Sequence, residues 1–241
     1  QDAKPYSVFV GYDTLTHTTR IIQISPRFDK SGNTAGHFQI CLEESPFYAE
    51  AGGQVGDTGW IRNENFLFRV TDTWKKMDLI WCDAELISLS ANQNLNKNLK
   101  GLTKEEVVNV LNSGVFFKTV TAVVDEQRRK DIIRNHTATH LLHAALRRNL
   151  GNHVTQAGSL VAPDRLRFDF THGKQLSQEE IEKIEAEINE KIAEAIPVII
   201  HNNVPLSEAR KKGAMMLFGE KYGDKVRMIQ IDDYSLELCG G

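Results

Sequence analysis

Cysteine is scarce. The 241 residues hold three, Cys41, Cys82 and Cys239. That is an odd number, too widely spaced for a disulfide framework, and it reads as a chain that keeps its thiols reduced in the cytoplasm. Long apolar runs are missing: nowhere do about 18 apolar residues follow one another, which excludes a helical membrane span. A basic surplus is missing as well. The net charge is −3, so any contact with nucleic acid must come from local patches rather than from an overall positive field. The opening Gln1-Asp2-Ala3-Lys4 carries no secretory signal and no initiator methionine, which reads as a segment of a longer protein. What is present is a globular composition, 41% hydrophobic and 25% charged. The length suits one large domain or two small ones.

Residues 1–125 are predicted to be β-rich. Alternating or β-branched runs at 6–10, 20–24, 37–42, 66–72, 79–89 and 119–125 are separated by turns such as Lys30-Ser31-Gly32-Asn33. Many short strands with glycine turns point to a small barrel or sandwich. An Asn- and Lys-rich stretch at 90–99 reads as an exposed loop, and Thr103 with Glu106 as a capping box opening a short helix. Residues 126–241 read differently. A helix is predicted over 126–150, with Ile132, Ile133, Leu141, Leu142, Ala145 and Leu146 on its apolar stripe and Gly151 as its stop. Strands follow at 154–161 and 165–170. Ser177 and Glu180 cap a second helix, on which Ile181, Ile184, Ile188, Ile192 and Ile196 form one stripe before Pro197. A strand at 198–204, a helix at 207–218, a turn at 219–224 and a hairpin of 225–231 with 234–239 close the chain. The predicted fold is α+β: an N-terminal β-barrel subdomain over 1–125, then an α+β subdomain over 126–241 with long helices packed on an antiparallel sheet.

The chemistry-bearing residues fall in this second part. His136 and His140 lie four apart on one helix, and residues so spaced share a face with Cβ atoms about 5–6 Å apart. One metal ion can bridge them, His143 follows on the same side, and Cys239 is a plausible thiolate ligand. Zinc best tolerates mixed nitrogen and sulfur donors. The alternatives are histidines on a half-buried helix face and a cysteine acting as a small buried apolar residue. Three ligands leave a fourth position for water or substrate, or for a ligand beyond Gly241.

Several motifs then occur in order: Gly52-Gly53-Gln54-Val55-Gly56-Asp57 inside a longer glycine-rich run, His136-Thr-Ala-Thr-His140, His153-Val-Thr-Gln156, Arg167-Phe-Asp-Phe170, Leu217-Phe-Gly-Glu-Lys-Tyr-Gly223 and Cys239-Gly-Gly241. Together they resemble the editing domain of alanyl-tRNA synthetases over most of the chain. The resemblance implies hydrolysis of serine, and to a lesser degree glycine, wrongly esterified to the acceptor end of alanine tRNA. It implies Zn2+ held by His136, His140 and Cys239, with the family's fourth ligand at position 243. The asparagine-rich stretch is longer than the family pattern. Implied partners are the mischarged tRNA and the remaining domains of the synthetase. A free-standing deacylase and a catalytically silent tRNA-binding module are the rival readings.

The resemblance also assigns roles. A site that accepts alanine rejects serine or glycine by only about 1–3 kcal/mol, so a second site that reads the hydroxyl is needed. That role falls to Thr139, whose alternative is a bond back to its own helix carbonyl. Gln156 falls in the catalytic pocket, where an amide donates to an oxyanion or orients water but takes no proton. Gly52, Gly53, Gln54 and Asp57 form a loop that approaches the pocket. Its Gly-Gly-Gln also occurs in peptide-release factors, but here it reads as a glycine-rich turn. Arg128, Arg129 and Arg134, with the basic clusters at 147–148 and 210–212, suggest a tRNA phosphate path. Their alternative is a solvated helix face.

Overall fold

The computed structural model describes residues 6–32, 36–89, 103–216 and 222–241. The predicted loop at 90–99, the end of the Lys30-to-Asn33 turn and most of the Leu217-to-Gly223 motif lie outside them. Two compact units are present, residues 1–50 with 55–129, and residues 51–54 with 130–241.

In the first unit, β1 (Val8–Phe9) pairs in parallel with β4 (Glu44–Ser45). The strands β2 (Thr16–Pro26), β3 (His37–Leu42), β5 (Gly59–Arg62), β6 (Phe66–Lys76), β7 (Leu79–Leu89) and β8 (Thr119–Val124) close into a barrel. Its order is β2-β3-β7-β6-β5-β8, with every pair antiparallel. Alternation places one side of each strand inside. On β5, Gly59 and Ile61 are buried while Trp60 and Arg62 face out. The sequence pattern does not reveal β5, a four-residue strand in a glycine-rich stretch. Phe38, Phe66, Phe68 and Phe116 fill the barrel, with ring centroids 5.2–6.0 Å apart. Phe116 arrives on a short 3-10 turn (Val115–Phe117) after α1 (Lys104–Asn112), which opens on the capping box of Thr103 and Glu106.

The second unit is built on α2 (Glu126–Leu150), of which residues 130–150 belong to it. A hairpin of β9 (Gln156–Val161) and β10 (Leu166–Phe170) follows, then α3 (Gln178–Ala193), capped by Ser177 and Glu180. Three antiparallel strands, β11 (Val198–Pro205), β12 (Lys225–Ile231) and β13 (Ser235–Leu238), form a sheet in that order, with the short α4 (Leu206–Lys211) after β11. Leu141 and Ala144 of α2 pack on Ile231 and Tyr234, while Ala145 and Leu146 pack on Val154 and Ile184. The fold is α+β, as predicted. No helix among the described residues is long and apolar enough to cross a membrane.

Three local expectations need correction. Ile133 is 52% exposed rather than part of the α2 stripe. On α3 only Ile184 is buried, while Ile181 and Ile192 are 36% and 55% exposed. Apolar partners reach Ile184, Ile188 and Ile196, the last lying past the end of α3, beyond the positive-φ Ala195. The helix predicted over 207–218 stops at Lys211, because the chain turns at Gly213 with φ of +75°.

Candidate metal centre

Helix α2 fixes the first two donors. His136 and His140 stack with centroids 5.1 Å apart and planes 17° from parallel. Cys239 follows β13 directly, and its backbone N–H donates to Arg227 O of β12. The Arg227 guanidinium in turn donates to Cys239 O and Gly241 O, at 3.1 and 2.5 Å, which holds the Cys-Gly-Gly segment. Cys239 Sγ lies 3.1 Å from His136 Nε2. One ligand atom from each of His136, His140 and Cys239 lies within 4.8 Å of the others.

The outer edges of both rings are occupied. His136 Nδ1 is 2.6 Å from Gln54 Oε1, and His140 Nδ1 is 2.6 Å from Glu237 Oε2. Both oxygens accept, so each Nδ1 carries a proton, and the Nε2 edges are the ones turned toward Cys239, where a metal would displace any proton they hold. Burial alone would raise the Cys239 pKa, but hydrogen bonds from His136 and His140 outweigh it and bring it down to about 5. Burial likewise opposes charge on His140, yet its bonds to Cys239 and Glu237 raise its pKa to about 10. Burial works against the Glu237 carboxylate too, and His140 and His143 overcome it, down to about 2. The cysteine is therefore a thiolate at neutral pH, the form that binds a metal. Two imidazole edges and a thiolate, each backed by a polar partner, fit zinc.

The glycine-rich loop reaches this centre through residues 51–54. Val161 of β9 donates its N–H to Gly53 O at 2.7 Å, and Gln54 forms a bridge with Val161. Gly53 has φ of +83°, and a Cβ there would sit 2.6 Å from Ser159 O. We expect Gly53→Ala to cost about 1–3 kcal/mol and to loosen Gln54 from His136. Urea unfolding checks the first part, and an unchanged midpoint would refute it.

The remaining candidates fall in different settings. Gln156 donates through Nε2 to Ser159 Oγ at 3.1 Å and is half-buried. The Thr139 hydroxyl donates to Asn135 O at 2.8 Å, the back-bond its helix position allows. Gly52 is exposed, with open space where a Cβ would stand. Asp57 and Arg129 belong to the barrel unit, buried against each other at 1% and 8% exposure, and so are closed to a bound nucleic acid. Arg128 donates to Gly56 O at 2.8 Å, and Arg134 pairs with Asp131 at 2.7 Å on the surface. Arg147 is tied to Asn152 O and Val154 O, Arg148 to Glu187, and Lys212 to Glu208. Each of these cations has an internal partner, so the basic path is weaker than its sequence suggests. Glu237 escapes a reading of sequence motifs, although it lies two residues before Cys239 on the closing strand.

Against known proteins, residues 1–101 match the family model described as tRNA synthetases class II (A). The chain is 47% identical over 240 residues to the alanine–tRNA ligase of Listeria welshimeri, covering 98% of the chain and 24% of that protein. It is 44% identical over 245 residues to that of Bacillus subtilis, covering 100% and 25%. For Chlorobium chlorochromatii the figures are 44% over 235 residues, 98% and 25%. The chain is thus of the class II aminoacyl-tRNA synthetase kind. It belongs to the alanine–tRNA ligase family and spans about a quarter of the length of the relatives it matches.

Proposed function

We propose that this segment edits: it hydrolyses the ester joining serine, or less readily glycine, to alanine tRNA, within an alanine–tRNA ligase. The observation that carries the reading is the meeting of His136, His140 and Cys239 with both Nδ1 edges held by Gln54 and Glu237. Membership of the ligase family supplies the context.

His136, His140 and Cys239 would hold the ion. A zinc ion held there would supply the positive charge that such a site needs to anchor an aminoacyl group or polarise its carbonyl. Gln156 sits on a strand hydrogen-bonded to Ser159, which orients its amide. Its role is to donate to the developing oxyanion or to position water. The Thr139 hydroxyl spends its proton on Asn135 O, which leaves its lone pairs to accept from a serine hydroxyl. Alanine would leave that acceptor unpaired, which is how such a site separates the two amino acids. Of the tRNA-contact candidates, exposed Gly52 and Arg134 remain available to the acceptor end.

The test is release of serine from mischarged alanine tRNA by the zinc-loaded chain, its His140→Ala variant and its Gln156→Ala variant. Gln156→Ala should slow the reaction about 10²–10³-fold, the range for loss of one oxyanion donor, and His140→Ala at least as much. Equal rates for all three would remove these residues from the mechanism.

A further inference from the structure

The geometry points to Glu237 and His143 as positioning residues that decide which nitrogen of His140 is offered to a metal. The inference rests on the metal reading above. Glu237 is shared between two imidazoles of α2. Its Oε2 lies 2.6 Å from His140 Nδ1, and its Oε1 lies 2.9 Å from His143 Nδ1. All three side chains are buried, at 7%, 3% and 8% exposure for His140, His143 and Glu237.

A carboxylate only accepts, so Oε2 selects the His140 form with its proton on Nδ1. When a metal takes the edge facing Cys239, the proton that remains is then the one on Nδ1, and the other neutral form would offer the metal the wrong nitrogen. The carboxylate itself must be aimed, because a glutamate side chain has rotamers to choose among. His143 supplies the aim. Its ring is wedged against Phe168 of β10, with centroids 5.0 Å apart. Its Nδ1 and Nε2 and the facing Glu237 Oε1 are all buried without an aligned hydrogen bond among the described residues, and Nδ1 approaches Oε1 to 2.9 Å. The ring of His143 thus stands against Oε1, and Oε2 makes the hydrogen bond to His140. Strand register brings Glu237 to this position, because it pairs with Ile229 of β12 inside a sheet whose next residues lead directly to Cys239. One strand therefore carries both a ligand and the group that orients its neighbouring ligand.

The experiment uses the ¹⁵N-labelled 241-residue chain with two readouts, the His140 tautomer by long-range ¹H–¹⁵N spectra and zinc affinity by competition with a chromophoric chelator. Glu237→Leu keeps the volume but cannot accept. It should release His140 from the Nδ1–H form and weaken zinc about ten- to a hundredfold, the usual cost of losing such an outer partner. Glu237→Gln keeps an oxygen for His140 and should restore most of both. His143→Phe keeps the contact with Phe168 but frees Oε1, and should weaken zinc less than Glu237→Leu does. A purely structural role would lower stability in all three variants and leave the tautomer alone. Wild-type tautomer and affinity in Glu237→Leu would overturn the proposal. If Glu237→Leu does not fold, unchanged zinc affinity in His143→Phe would overturn it. Should the wild-type chain bind no zinc, the metal reading fails, and the comparison in metal-free protein above about pH 10, where His140 is neutral, still decides the inference: Nδ1–H in the wild type and its loss in Glu237→Leu support it, and the same form in both overturns it.

Discussion

Arg129→Ala should cost the barrel unit about 3–5 kcal/mol, because it strands a carboxylate in the interior. Arg129 Nε donates to both oxygens of Asp57, at 3.0 and 3.1 Å, and Nη2 makes a further short bond to Oδ2. Nη1 donates to Gly11 O at 2.9 Å, and Nη2 also donates to Pro46 O at 3.1 Å. Asp57 also accepts from the Tyr48 N–H at 2.7 Å. Removing the arginine leaves that buried carboxylate with the Tyr48 N–H but no counter-charge, and takes a donor from each of two carbonyls. Arg129→Lys should recover only part of the loss, since an ammonium cannot reproduce the fork. The readout is tryptophan fluorescence in urea, because Trp60, Trp74 and Trp81 all lie in the barrel unit. The double variant with Asp57→Ala should be less destabilised than the sum of the two single variants, which marks direct coupling. A loss below about 1 kcal/mol for Arg129→Ala would place the pair among ordinary surface ion pairs, whatever its burial.

Cys239→Ala should abolish stoichiometric zinc and, with it, serine release. Thiolate is the strongest of the three donors for zinc, and its loss leaves two imidazoles, too few for a stable site. Affinity should fall by more than the roughly ten- to hundredfold loss expected for an outer partner such as Glu237. Retained zinc in Cys239→Ala, by elemental analysis after dialysis, would mean that the ion sits elsewhere. Because Cys239 lies just past a strand end rather than in a core cluster, the fold should survive the change.

What the sequence disclosed was mostly local. The capping boxes at Thr103 and Ser177 are written in four-residue patterns, and both helices start where those patterns place them. Helix α2 was legible to the residue because a long apolar stripe ends at a glycine. The pairing of His136 with His140 followed from helical spacing alone. Contacts between distant segments were harder to see. Asp57 and Arg129 look like a loop acid and a surface base, and nothing in their own neighbourhoods signals that they meet across 72 residues. Gln54 reads as part of a loop near the pocket, but its bond to His136 depends on how residues 51–54 dock on β9. Glu237 could have been found, since a strand residue two before a ligand shares its side of the sheet. The isoleucine stripe on α3 held in part, with Ile184, Ile188 and Ile196 against the core and Ile181 and Ile192 exposed: periodicity gives a face, and only tertiary neighbours decide how much of it is covered.

X-ray absorption at the zinc edge of the loaded 241-residue chain tests the centre most directly. A centre built from His136, His140 and Cys239 predicts one sulfur scatterer at about 2.3 Å and two imidazole nitrogens at about 2.0–2.1 Å. A shell of nitrogen and oxygen alone, or a chain that retains no zinc, would contradict it.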